Sequence, residues 1–302
     1  MKVIVLGAGL VGTPMALDLS KDSQFEVTVA DLSQEALDRL RIRDPSISTI
    51  QLDLSNSSKI ASLVKDHDFV LNAVPGFLGF QTLTAIIKAK RNVVDIAFCP
   101  ENALELDELA KSNGVTAIVD CGVAPGMNNL LTGYIESLMD KSETAMTYVG
   151  GLPKLREWPY EYKAVFSPAD VIEEYTRPAR FVENGALVVR PALSDAELLS
   201  FDGIGTLEAF NSDGLRTMIH TIKAPNRKEK TLRYIGHIEK IAVLRDSGFF
   251  NTEEVEINGH KIRPIDFSSK LLFDKWKLKE GDADITIMKV FVEGEKDNKR
   301  IR

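Results

Sequence analysis

Cysteine is nearly absent, with only Cys99 and Cys121 in 302 residues. Two thiols make no disulfide framework, and four scattered histidines add no zinc-ligand spacing, so neither cross-links nor a structural metal is expected. No apolar run approaches the roughly 18 residues that a membrane-spanning helix requires. The opening MKVIVLGAG passes from one lysine into β-branched residues and glycines, without a signal-peptide cleavage pattern. A reducing, cytoplasmic compartment is therefore expected. A basic excess is missing too. Lysine and arginine total 37 against 44 acids, a net charge of −7, which argues against nucleic acid or an anionic membrane as the main partner. A small molecule is the expected ligand. Neither a Pro/Gly/Ser-rich linker nor an internal repeat interrupts the chain.

The length suits two domains. Up to about residue 120, short β-branched runs alternate with amphipathic stretches, the rhythm of a parallel sheet covered on both faces. Strands are predicted over 2–6, 26–30, 48–51, 69–73, 93–96 and 116–119. A helix is predicted over 126–139, and the rhythm then changes. TAMTYVGG, YEYKAVF, FVENGALVV, GTLEAF and KTLRYIG read as strands of a mainly antiparallel sheet, and DITIMKVFVEG as another, followed by a turn and a short return strand, RIR. The predicted fold is α/β, with a Rossmann doubly wound domain over 1–125 and an α+β domain over 126–302.

Gly7, Gly9 and Gly12 form GAGLVG directly between the first strand and the first helix. In that setting the glycines give a tight turn, close approach of backbone to a pyrophosphate, and helix–strand contact, with Leu10 and Val11 at the helix entry. Asp31 ends the second strand at about the 20-residue spacing expected of a ribose-binding acid. Its carboxylate would repel a 2′-phosphate, and neither Leu32 nor Ser33 offers a cation, so NAD is the expected cofactor. Asp53, after the third strand, is either an adenine-side contact or a helix N-cap. Ala73, Val74, Pro75 and Gly76 end the fourth strand, where small residues would let the nicotinamide half lie against backbone.

Ligands of such sheets gather at the carboxyl ends of strands, and two reactive residue types stand there. Asp95, in VVDIAFCPEN, is an acid within an apolar stretch. It is either a proton-handling group with a shifted pKa or a carboxylate pinned to backbone amides. Cys121, in VDCGVAPGMNN, is either catalytic or an inert buried thiol. Trp158 and Trp276 are expected to serve packing.

PGFLGF (75–80), VVDIAFCPEN (93–102), VDCGVAPGMNN (119–129), YVGGLP (148–153), EEYTRPAR (173–180), SDGLRTM (212–218) and LRYIGHIEKI (232–241) resemble the saccharopine dehydrogenase superfamily and, within it, its lysine 6-dehydrogenase branch. The resemblance implies NAD-dependent oxidation of the ε-amine of L-lysine. The products would be ammonia and 2-aminoadipate 6-semialdehyde, which closes to the cyclic imine 1-piperideine-6-carboxylate. It also implies an acid and a cysteine in catalysis, at Asp95 and Cys121. For substrate orientation, Arg177 is the candidate for the α-carboxylate, or else it pairs with Glu173 or Glu174. Tyr175, His237 and Lys163 are further candidates for the same cleft, each with a structural alternative. The resemblance further implies a homo-oligomer, and residues past Arg302 that return to the dinucleotide domain, so a fragment or a truncated chain is expected. Two other functions stay open: a saccharopine-type or carboxynorspermidine-type dehydrogenase, and a non-catalytic NAD-binding sensor or assembly protein.

Overall fold

Near-continuous runs of β-branched residues and leucine, such as KVIVL, build the first sheet, with a helix between successive strands. The computed structural model describes residues 1–279 and 281–302 and divides into two compact units, Met1–Met127 and Asn128–Arg302. In the first unit the order is β1 (Lys2–Leu6), α1 (Gly12–Leu19), β2 (Glu26–Asp31), α2 (Gln34–Arg43), β3 (Ser48–Gln51), α3 (Ser57–Val64), β4 (Phe69–Asn72), α4 (Gly76–Lys88), β5 (Asn92–Asp95), α5 (Asp107–Asn113) and β6 (Ala117–Ile118). All pairs are parallel, in the sheet order β3-β2-β1-β4-β5-β6 of a doubly wound dinucleotide fold. Ile4, Leu6, Val70, Leu83, Ile86 and Val93 pack one core, and Val5, Val29, Leu37 and Leu40 pack another. Each such buried side chain contributes about 1.5–3 kcal/mol of transfer free energy. Local caps set the helix starts: Ser33 accepts from the Ala36 amide at α2, and Asn56 from the Lys59 amide at α3.

The second unit begins within α6 (Met127–Ser137) and continues through β7 (Lys141–Pro153), α7 (Pro168–Thr176), β8 (Ala179–Glu183), β9 (Ala186–Arg190), β10 (Glu197–Phe201), β11 (Gly205–Asn211), α8 (Met218–Thr221), β12 (Asn226–Tyr234), α9 (His237–Asp246), β13 (Val255–Ile257), β14 (His260–Ile262), α10 (Pro264–Trp276), β15 (Asp284–Lys296) and β16 (Lys299–Ile301). Its large sheet runs β10-β11-β12-β7-β15-β16, with the β8–β9 hairpin joined to β12. Pairing is antiparallel except between β7 and β12, which are parallel.

Two readings from the sequence need correction. YEYKAVF forms no strand; among the described residues its only ladder contact is a bridge from Ala164 to Lys277. Tyr160 and Tyr162 instead meet the Trp276 ring edge-on, so the apolar run reflects burial in a packed loop. Trp276 is a packing residue with no exposed surface, but Trp158 is 83% exposed and packs little. Among the described residues no helix is long and apolar enough to cross a membrane.

Candidate functional site

The glycine loop is shaped by sterics that can be read atom by atom. Gly7 has φ +107°, and a Cβ there would lie 2.6 Å from the Ala73 carbonyl oxygen. At Gly12 a Cβ would lie 2.0 Å from the Gly7 oxygen, so the helix can approach the turn only without a side chain. Gly9 differs: a Cβ would meet nothing within 4 Å, leaving open space on the face of the loop. At the start of α1, Val11 provides no side-chain cap, the Thr13 amide already donates to the Gly9 carbonyl at 3.1 Å and Pro14 has no N–H, so the loop amides ahead of Thr13 are the ones that could meet an anion. These features fit a dinucleotide pyrophosphate. Leu10 and Val11 are exposed beside them.

Asp31 ends β2 and ties the loop to the sheet. Its Oδ2 accepts from the Ala8 amide at 2.6 Å and its Oδ1 from the Ser33 amide at 2.7 Å. Each carboxylate oxygen has a second acceptor direction, so ribose hydroxyls still have sites. Leu32 is exposed, and its carbonyl accepts from the Gln51 side chain. Asp53 caps its own turn, Oδ1 accepting from the Ser55 amide and hydroxyl, and these bonds hold its carboxyl below the usual value. It is not the N-cap of α3; Asn56 is. After β4, Ala73 abuts Gly7 while Val74, Pro75 and Gly76 lead into α4, whose N-cap is Pro75.

Asp95 is the last residue of β5 and only 2% exposed. Its Oδ1 accepts from the Ala97 amide at 2.8 Å and from Asn72 Nδ2 at 3.1 Å. Burial pushes its carboxyl up to about 7, against the pull of those two bonds and with a further push from Asp120. Its backbone oxygen accepts from the Cys121 amide at 3.0 Å, which brings the two predicted catalytic residues side by side. Cys121 is half-buried. Burial, Asp120 and Asp95 all raise its thiol, so it is kept as a neutral S–H rather than a thiolate. Both cysteines are free thiols.

Sequence reasoning missed two residues of this cluster, Asn72 and Asp120. Asn72 is fully buried at the end of β4, and Asp120 is buried after β6 with a left-handed φ of +54°. A polar residue ending an otherwise apolar strand, FVLN, was the available signal for Asn72. Asp120 was overshadowed by its neighbour Cys121.

The substrate candidates fall in the second unit. Tyr175 and His237 lie in its core, and the Tyr175 hydroxyl is 2.9 Å from His237 Nε2. His237 Nδ1 meets the Tyr160 carbonyl at 2.8 Å, and Arg233 Nε donates to the Tyr175 oxygen at 3.2 Å. That chain of partners makes Nδ1 the protonated nitrogen of a neutral ring. Burial, aided by Arg233, pushes the imidazole down to about 3. Arg233 completes the network with Glu174 at 2.6 Å and stacks over Tyr162. Tyr175 and His237 thus bond to each other instead of presenting polar tips to solvent. Lys163 is buried, paired with Glu157 at 2.8 Å. Arg177 pairs with Glu173 one helical turn away at 3.1 Å and stands 3.9 Å from buried Asp213, which Arg180 and Arg216 also contact. Among the described residues no group of three metal-ligating side chains converges.

Each unit matches known proteins. Residues 3–118 match the saccharopine dehydrogenase NADP binding domain and residues 122–302 the saccharopine dehydrogenase C-terminal domain. Saccharopine dehydrogenase [NADP(+), L-glutamate-forming] of Pyricularia oryzae is 28% identical over 264 residues, which cover 83% of this chain and 58% of that protein. The chain therefore spans less than two thirds of that relative's length. Carboxyaminopropylagmatine dehydrogenase of Synechocystis sp. is 22% identical over 98% of this chain and 78% of its own. Among solved structures, the apo saccharopine dehydrogenase (L-Glu forming) of Saccharomyces cerevisiae shares the fold with a TM-score of 0.73 at 19% identity, covering 97% of this chain and 81% of that one. With a dinucleotide-type glycine loop, an acid and a thiol at adjacent strand ends, and family matches across both units, the chain belongs to the saccharopine dehydrogenase family.

Proposed function

We propose that this protein oxidises the ε-amine of L-lysine with NAD, giving ammonia and 2-aminoadipate 6-semialdehyde. The observation that carries the reading is Asp95: a buried carboxyl, held at a strand end of a dinucleotide-type sheet and pushed up to about 7. Bound NAD would accept the hydride from the amine-bearing carbon. An ammonium with a reference pKa of about 10.4 must first lose a proton, and Asp95 would take it. Once that proton has passed to water, the same carboxylate would take a proton from the water that adds to the resulting iminium and return it to the nitrogen as ammonia leaves. Cys121, neutral beside it, would donate a weak hydrogen bond without acting as a nucleophile.

NAD rather than NADP is favoured by Asp31, whose negative charge would face a 2′-phosphate, with no cation at Leu32 or Ser33 to offset it. The NADP-binding family that the first unit matches gives the opposite expectation, so both cofactors belong in the test. The names of the relatives support a second reading, oxidation of a secondary amine such as saccharopine or a carboxyalkyl polyamine. Purified protein supplied with each amine and each nucleotide, followed at the absorbance of the reduced nicotinamide, decides. Turnover of lysine with NAD is expected. Turnover confined to a secondary amine supports the second reading, and nucleotide binding without turnover of any amine points to a non-catalytic sensor.

A further inference from the structure

Register in the parallel sheet sets Asn72 of β4 directly beside Asp95 of β5, each the last residue of its strand. Side chains at paired positions of adjacent strands project to the same face, which explains the 3.1 Å bond from Asn72 Nδ2 to Asp95 Oδ1. Asn72 has no exposed surface, and its own Oδ1 is buried without a hydrogen-bond partner. Buried amides seldom leave a carbonyl unpaired, so an orphan on a side chain bonded to Asp95 calls for an explanation.

An amide carries a donor and an acceptor that a half-turn about χ2 exchanges, whereas a carboxyl group is acceptor-only when ionised and gains a donor when protonated. We propose that Asn72 is a positioning residue for Asp95, donating through Nδ2 to the ionised carboxylate and, after a half-turn, accepting through Oδ1 from the protonated carboxyl. No proton moves onto Asn72; the proton on Asp95 comes from and returns to the reacting group or water. The amide thereby keeps one bond to Asp95 through both halves of a proton-transfer cycle, and the carboxyl holds its orientation in each. A leucine of similar volume could serve neither state, and a second aspartate would add like charge.

The groups that titrate beside Asp95 come from one side of the sheet, where Asp120 and Cys121 follow β6. On the other side of Asn72, β1 contributes Leu6, which carries no charge. Asn72 therefore joins the fixed Ala97 amide as an uncharged partner that favours the ionised form of Asp95, in opposition to Asp120.

The inference rests on Asp95 being the proton-handling group of the proposed reaction, yet its test needs no substrate. The protein, labelled with carbon-13 in aspartate carboxyls and nitrogen-15 in asparagine amides, is titrated by NMR from about pH 5 to about pH 9. Asp95→Asn and Asn72→Ser assign the two signals. The Asn72 side-chain amide is expected to shift with the same midpoint as the Asp95 carboxyl. In Asn72→Leu, which removes the donor to the charged form, that midpoint is expected to rise by about one unit. An Asn72 amide signal that stays flat while Asp95 titrates overturns the proposal, and this measurement is made on the unaltered protein even if the leucine variant does not fold. An Asp95 midpoint that stays unmoved in a folded Asn72→Leu variant also overturns it. Failure of the protein to oxidise any amine would leave these signals as they are, and would count against the proposed function alone.

Discussion

The Arg233 network of the second unit and the Asp95 cluster of the first are both buried, and they treat their ionisable groups in opposite ways. Around Arg233 each charge or polar tip has a matched partner: Arg233 meets Glu174, Tyr175 receives Arg233 and gives to His237, and His237 gives to a backbone carbonyl. In the first unit Asp95 is held by neutral donors, Asn72 and the Ala97 amide, and the charge that acts on it among the described residues is another acid, Asp120. A satisfied network holds a fold in one arrangement; an uncompensated carboxyl keeps a proton affinity near neutrality at a cost in stability. Burial alone does not distinguish the two. The sign of the neighbours does.

That contrast is open to attack from both ends. At the chemical end, Asp95→Asn is expected to lower amine turnover by about 10²–10⁴-fold, read at the nicotinamide absorbance, because a positioned base contributes about that much. At the structural end, Arg233→Met strands Glu174 beside neutralised partners and is expected to destabilise by about 3–5 kcal/mol in urea unfolding; adding Glu174→Gln should restore part of the loss. Full stability in the single variant would show that the pair is not what holds this core.

The pH dependence sharpens the same comparison. Asp95 is raised above its unfolded value, so the folded state binds the extra proton between about pH 4 and about pH 7, and stability falls as pH rises through that window. Asp95→Asn should therefore gain about 1–3 kcal/mol over the parent at about pH 8 relative to about pH 5, seen as a pH-dependent difference in unfolding midpoint. A constant difference at the two values would mean that Asp95 is not the group that titrates. Smaller again, Asp31→Ser should shift nucleotide preference toward NADP by about tenfold, measured as the ratio of kcat/KM, through lost repulsion of the 2′-phosphate. Cys121→Ser should cost the least, under about tenfold in kcat, since a thiol kept neutral supplies a weak donor that a hydroxyl replaces.

Several of these parts could be read before any coordinates. The six strands of the first unit were legible because a sheet covered on both faces needs continuous β-branched runs, and Gly7 and Gly12 of GAGLVG stand where a side chain would clash. Asp95 and Cys121 were legible because strand ends are where ligands gather, and the structure sets them within one backbone hydrogen bond. YEYKAVF misled because an apolar, aromatic run looks the same whether it lines a sheet or packs in a loop against Trp276. Tyr175 and His237 are hard to place from sequence for a related reason, since a polar tip gives no sign of whether its partner is a ligand or another side chain.

By itself the sequence determined the doubly wound sheet, the glycine cradle, the acid at the end of β2 and the family resemblance, all of which depend on residue type and local spacing. Only the tertiary structure decided that Asn72 and Asp120 flank Asp95, that Cys121 is held neutral, and that His237 is a buried acceptor. Those properties come from strand register and from neighbours distant in sequence, and a carboxyl's proton affinity is set by what surrounds it rather than by its position in the chain.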